Sequence, residues 1–187
     1  MNLPEELDID YLIDDLRRLS WEAADIMLYY SSQFRNEKAN KAFIKAKDDN
    51  EPVTLADLEV NELIIKHIRE KYQKVNWHLL SEENGIIKFN KKDINTNWLW
   101  VLDPLDGTRD FIQNTSDYAL HLALNFKNKP QIGIVLIPQK EELWISNNKN
   151  TWCENRGGLK AKSKLSDRRE IHKMKLVTSK NHNNQTL

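Results

Sequence analysis

The 187-residue chain sets 28 Lys and Arg against 28 Asp and Glu, with 40% hydrophobic and 30% charged residues. Zero net charge argues against a nucleic-acid polymer as ligand, and no acidic block marks a disordered tail. One cysteine, Cys153, cannot close an internal disulfide, which fits a reducing compartment, and the length allows one domain or slightly more with a sizeable core.

The N-terminus, M-N-L-P-E-E-L-D-I-D, lacks the basic flank and apolar run of a signal peptide, and no segment has the apolar length of a membrane span. The expectation is a soluble cytoplasmic protein without a membrane partner. Residues from about Glu5 to Phe34 place Leu12, Leu16, Leu19, Ala23, Ile26, Met27 and Tyr30 at helical spacing, which predicts one long amphipathic helix. A short strand is expected over Ala42–Ala46, then a charged loop ending at Pro52. Thr54 opens a second helix that runs to about Tyr72 on Leu58, Leu63, Ile64 and Ile68. Thr54 with Asp57 three residues on fits a capping box, in which Asp57 has only the first amides to satisfy.

Trp77–Leu80 reads as a short strand ending in Ser81-Glu82-Glu83-Asn84-Gly85, and Lys88–Asn97 as a polar loop. The organising stretch follows, W-L-W-V-L-D-P-L-D-G-T-R-D-F-I over residues 98–112. Trp98–Leu102 is a buried strand by composition, expected to stop at Pro104, which has no N–H for a ladder. There Asp103 and Asp106 flank a forced turn that also offers the Leu105 carbonyl and the Thr108 hydroxyl. Such oxygens suit a hard cation like Mg²⁺, although Asp, Pro and Gly are also the commonest residues of a plain turn.

Beyond it, Ala119–Phe126 and Gln131–Ile137 are strands joined by K-N-K-P, and Glu142–Ser146 follows a turn at Pro138, together an antiparallel meander. Thr151–Lys164 contains Gly157-Gly158 and reads as a further turn and strand. Ser163–Lys173 is a charged connector, and Met174–Thr178 is β-prone before a polar end. The five histidines show no metal-ligand spacing, and no P-loop, G-x-G-x-x-G or G-x-S-x-G occurs.

Glu82, Asp103 and Asp106 thus come from two strand tips and Asp57 from a helix start. If the two strands are neighbours the four acids converge and repel unless cations lie between them. Divalent cations in such a place clamp a phosphate ester and acidify a bound water, and a Thr hydroxyl bonded to an Asp can orient that water.

V-T-L-A-D (53–57), L-S-E-E-N (80–84) and W-V-L-D-P-L-D-G-T-R-D-F-I (100–112) resemble, in order and spacing, the lithium-sensitive, Mg²⁺-dependent phosphatases of the inositol monophosphatase superfamily. The similarity continues through A-L-N-F-K-N-K-P-Q-I-G-I-V-L-I-P into E-L-W-I-S. The resemblance implies an α+β layered sugar-phosphatase fold, here its N-terminal half, with two long helices against a mainly antiparallel sheet. It implies that Glu82, Asp103 and the Leu105 carbonyl hold a first Mg²⁺, and that Asp103 and Asp106 hold a second, of two or three ions in the family. Asp57 and Thr108 would activate the attacking water, and the Gly107 and Thr108 amides would hold the phosphate; Glu83 ranks second to Glu82 as ligand. P-V-T-x-A-D, L-S-E-E and T-R-D-F lean towards the 3′(2′),5′-bisphosphate nucleotidase branch, which removes a phosphate from adenosine 3′,5′-bisphosphate, a by-product of sulfate assimilation. Inositol monophosphate hydrolysis is the near alternative and fructose 1,6-bisphosphate a more distant one.

The superfamily's second motif, W-D-x-x-A…E-A-G-G, has no counterpart before Leu187, while V-T-S-K-N-H (177–182) resembles the V-x-S-R-x-H that opens the family's second half. The implied organisation is a metal-binding phosphatase domain over 1–172 and the start of a truncated C-terminal domain over 173–187, with the second metal site one ligand short. A homodimer or a complementing C-terminal polypeptide is the expected partner besides the small phosphorylated substrate. The rival reading is a non-catalytic remnant that binds metal or a partner protein through an exposed apolar sheet face.

Overall fold

The computed structural model describes residues 3, 7–34, 44–46, 52–89, 96–163 and 166–175. The first long helix, α1, spans Ile9–Phe34 and buries Leu12, Ile13, Leu16, Leu19, Ala23, Ala24 and Met27 along one stripe. It starts later than Glu5 because Asp8 caps it: the Asp8 carboxylate accepts the Tyr11 amide at 2.8 Å. Strands β1 (Ile44–Ala46) and β2 (Pro52–Thr54) form a small antiparallel ribbon that leads into α2, Leu55–Lys71. The charged loop expected between the two strands lies outside the described residues.

The main sheet has eight strands: β3 (His78–Ser81), β4 (Gly85–Lys88), β5 (Trp98–Asp106), β6 (Ala119–Phe126), β7 (Lys129–Ile137), β8 (Glu142–Asn147), β9 (Thr151–Glu154) and β10 (Lys160–Lys162). Their spatial order is β10-β9-β8-β7-β6-β5-β3-β4. Every pairing is antiparallel except β3 with β5. Alternate residues of the central strands (Trp98, Trp100 and Leu102; Leu120, Leu122 and Leu124; Ile132, Ile134 and Leu136) join the helix stripes in one core. Trp77 meets Trp100 edge to face at 5.4 Å, at the junction of α2, β3 and β5. The opposite face is the wetter one: Val101 is 36% exposed, Leu80 37% and Ile86 67%.

Three expectations are corrected. β5 does not end at Pro104 but is strand to Asp106, because the pairing with β6 shifts register between Asp103 and Asp106 and resumes at Asp106 opposite Ala119. A proline needs no ladder partner inside such an irregularity. The stretch after Gly85 is not all turn and loop, since β4 folds back on β3 as a hairpin with Gly85 at φ 67°. The β6–β7 turn is tighter than K-N-K-P suggests: Lys127 and Asn128 both take positive φ, 49° and 61°, the two-residue geometry that matches strand twist, and β7 begins at Lys129. Thr151–Lys164 yields two short strands, β9 and β10, and the strand expected at Met174–Thr178 lies mostly outside the described residues.

Two buried carboxylates tie α1 to its neighbours. Asp15, 2% exposed, accepts from His67 at 2.8 Å, from the Tyr72 hydroxyl at 2.6 Å and from Lys71, all contributed by α2 or its C-terminal cap. Glu154 on β9, 1% exposed, takes both arms of Arg17 from α1 and the Trp152 indole N–H at 2.6 Å. No helix among the described residues is long and apolar enough to cross a membrane.

Candidate active site

The parallel β3–β5 pair is what assembles the acids. Parallel neighbours end at the same edge, so with Ser81 opposite Leu102 the next residues, Glu82 and Asp103, fall side by side. The Glu82 amide donates to the Leu102 carbonyl at 3.1 Å, carrying the pairing one step past the strand. Burial, the neighbouring Glu82 charge, a hydrogen bond shared with Glu82 and the Asp106 charge together push the Asp103 carboxyl up to about 7, against an ordinary 3.8. The Leu105 amide, donating to Asp103 Oδ1 at 3.2 Å, works the other way without prevailing.

Asp57 does serve as a cap. The Thr54 amide donates to Asp57 Oδ2 at 2.8 Å, the Thr54 hydroxyl reaches the same oxygen, and the Asp57 amide donates back to Thr54 Oγ1 at 3.4 Å. Its other oxygen, Oδ1, is 3.3 Å from the Thr108 hydroxyl, which also lies 3.1 Å from the Leu105 carbonyl. The capping and catalytic readings are therefore compatible, one carboxylate oxygen for each. Burial, helped by the charge of Glu83, raises the Asp57 carboxyl to about 6 despite its bonds to Thr54. Glu83 thus acts electrostatically on Asp57, whereas Glu82 is the neighbour of Asp103.

Gly107 turns the chain at φ 84° between β5 and the short helix α3, Thr108–Ile112. A Cβ there would stand 2.6 Å from the Asp117 carbonyl, so glycine is required by both conformation and space.

A network that sequence reasoning missed holds the Glu82–Glu83 turn. Buried Ser81 donates to Asn61 Oδ1 at 2.5 Å, Asn61 donates to Asn84, and the Glu83 amide donates to Ser81 Oγ at 3.2 Å. The available signal was an asparagine on the apolar stripe of α2, four residues after Asp57.

Among the described residues no three acidic, His or Cys side chains close into a ready-made metal cage. The acids come as the Glu82–Asp103 pair with Asp106 beside it. They are hard oxygen donors, and Glu82 and Asp106 raise the proton affinity of Asp103, a donor set that suits a divalent cation such as Mg²⁺. A larger cleft of about 830 Å³ lies elsewhere, between α1 and the β8–β9 turn, and contains none of these residues. Its guanidinium, Arg17, is already committed to Asp14 and Glu154.

The strand-tip acid pair, the threonine bonded to a helix-capping aspartate and the glycine-hinged turn all sit where helices pack against a mainly antiparallel sheet. The model of the inositol monophosphatase family matches residues 8–187, and the chain belongs to that family. Over 97 residues it is 37% identical to the 3′(2′),5′-bisphosphate nucleotidase CysQ of Haemophilus influenzae, an alignment covering 51% of this chain and 34% of that protein. Over 180 residues it is 27% identical to the CysQ of Buchnera aphidicola, covering 94% and 62%. The solved structure of the extragenic suppressor protein suhB from Bartonella henselae superposes with a TM-score of 0.68 at 18% identity, over 85% of this chain and 56% of that one, which shows the shared fold. The chain matches about one third to under two thirds of the length of these relatives.

Proposed function

We propose that the chain is the acid-bearing part of a divalent-cation-dependent phosphomonoesterase of the 3′(2′),5′-bisphosphate nucleotidase type, cleaving adenosine 3′,5′-bisphosphate to AMP and phosphate in the cytoplasm. The observation that carries this reading is the adjacency of Glu82 and Asp103, with Asp106, next to a Thr108 hydroxyl bonded to Asp57. The two CysQ relatives favour the nucleotide branch. In this reading Glu82, Asp103 and the Leu105 carbonyl hold one Mg²⁺, Asp103 and Asp106 hold another, and Li⁺ inhibits. Bound there, the cations supply charge against the phosphate oxygens and make a nearby water acidic.

The chain's own groups do the rest. The Thr108 hydroxyl donates a hydrogen bond to Asp57 Oδ1, which leaves an Oγ1 lone pair to accept one from the attacking water. As the water adds to phosphorus and the ester P–O bond breaks, its proton passes to Thr108 Oγ1 while the Thr108 proton moves to Asp57, raised to about 6 by burial. The alcohol leaves with a proton from solvent. The Gly107 and Thr108 amides receive the phosphate oxygens.

The test is Mg²⁺-dependent phosphate release from adenosine 3′,5′-bisphosphate, with inositol 1-phosphate in parallel. Release that falls more than about 100-fold in Asp103→Asn supports the reading, by comparison with the 10–100-fold that groups merely supporting a metal ligand command. Preference for inositol 1-phosphate moves the assignment to an inositol monophosphatase. Silence on both substrates removes the claim that this chain alone is an enzyme.

One observation favours a second reading, the exposed apolar row Ile86, Leu80 and Val101 across β4, β3 and β5. A complementing polypeptide or a second copy packed on this face would bury it. A chain that sediments as a monomer and is active alone would exclude the need for one.

A further inference from the structure

On the outer side of Asp106 lies a pocket of about 140 Å³, lined by Asp106, Ser116, Asp117, Tyr118, Ala119, Ile137 and Lys140. At about 30 Å³ per water it admits a group of four or five waters' bulk, the scale of one small oxyanion. The pocket shares Asp106 with the acidic site and adjoins the Gly107 hinge, which packs on Asp117. Anything seated there is therefore a near neighbour of the group held at Gly107 and Thr108.

Among the described residues that line it, Lys140 is the one cation. It is carried on a short 3-10 turn, Pro138–Lys140, that the fold pins from two sides. Gln139 Nε2 donates to the Tyr118 hydroxyl at 3.0 Å and lies 3.2 Å from Ser31 Oγ of α1, and Pro138 is buried. Tyr118 is in turn held edge to face against Phe111 of α3 at 4.8 Å. The Lys140 backbone is thus fixed relative to the catalytic turn, while its exposed ammonium makes no ion pair among the described residues.

We propose that this pocket is a subsite for a second anionic group of the substrate, a phosphate other than the one hydrolysed, and that Lys140 is its specificity-determining residue. The inference rests on the phosphatase reading and deepens it, since it says which residue separates doubly phosphorylated from singly phosphorylated substrates. Two carboxylates, Asp106 and Asp117, also line the pocket. An anion is accepted there only when a divalent cation offsets Asp106, so second-phosphate recognition depends on the cation bound next door.

The experiment compares adenosine 3′,5′-bisphosphate with adenosine 3′-monophosphate, which differ only in the second phosphate. Binding is measured by calorimetry with Ca²⁺ in place of Mg²⁺ so that no turnover intrudes. The parent chain is expected to favour the bisphosphate, and Lys140→Gln to cut the affinity ratio about tenfold, the scale of one charge-assisted hydrogen bond. Lys140→Arg should restore the ratio, and removing the divalent cation should abolish it. An unchanged ratio in Lys140→Gln, or a preference that survives without the cation, overturns the subsite while leaving the phosphatase reading intact. If the parent binds neither nucleotide, the bisphosphate-nucleotidase reading falls and this inference with it.

Discussion

Asp15 and Asp103 are both carboxylates withdrawn from solvent on the same small sheet-and-helix scaffold, and they titrate in opposite directions. Burial alone would raise Asp15, but hydrogen bonds from His67, Lys71 and Tyr72 outweigh it and bring the carboxyl down to about 2. Asp103 is raised by burial too, and its neighbours are Glu82 and Asp106, so it climbs to about 7. One acid is fully served by donors from the chain itself. The other has Glu82 and Asp106 for neighbours, and its anion is disfavoured until pH approaches about 7. The first clamps α1 onto α2, and the second is the carboxylate that the proposed function gives to a cation.

The largest effect expected outside catalysis is at the clamp. Asp15→Ala strands Lys71 and His67 without their anion and should lower unfolding stability by about 3 kcal/mol in urea titration. A loss under about 1 kcal/mol would mean the cluster is decorative.

The pH dependence sharpens the contrast. Asp15 has a lowered folded value, so its contribution of about 2 kcal/mol is complete above its ordinary 3.8 and is lost as pH falls towards about 2. Asp103 has a raised folded value, so its contribution is present below 3.8 and is lost as pH rises through about 7. Without divalent cations the chain should therefore lose stability between about pH 4 and pH 7. Mg²⁺ should restore it, and Asp103→Asn should abolish both the loss and the restoration. Melting curves over that range with EDTA or Mg²⁺ decide this, and a flat metal-free profile would break the comparison.

The smallest effect belongs to the turn that carries Glu82. Ser81→Ala leaves Asn61 and the Glu83 amide short of a partner and should cost about 1–2 kcal/mol. It should also weaken Mg²⁺ binding, measured by calorimetry, whereas a substitution on the Asp15 clamp should not.

Much of this was legible in the residues. The capping box at Thr54 and Asp57 is a local pattern, readable because helix geometry brings a cap and its third residue together whatever the tertiary fold. The apolar stripe of α1 and the alternation of β6, β7 and β8 are similarly local, since a period of 3.6 or 2 decides which side chains share a face. Even the D-P-L-D-G-T turn declared itself through Gly107, whose φ of 84° no other residue adopts cheaply.

What the local pattern could not decide was which strand lies beside which, because pairing partners far apart in the chain leave no period to read. That β3 runs parallel to β5 is a tertiary choice, and it alone sets Glu82 against Asp103. The same holds for Pro104, which as a local signal should have stopped the strand. It sits instead where the β5–β6 register slips and no N–H is missed. The Asn61–Ser81 brace and the Gln139–Tyr118 pin under Lys140 likewise depend on long-range packing. The sequence by itself determined the elements, the acids and their turn. The tertiary structure decided which acids meet, and so which carboxylate is served by donors of the chain and which is set among other carboxylates.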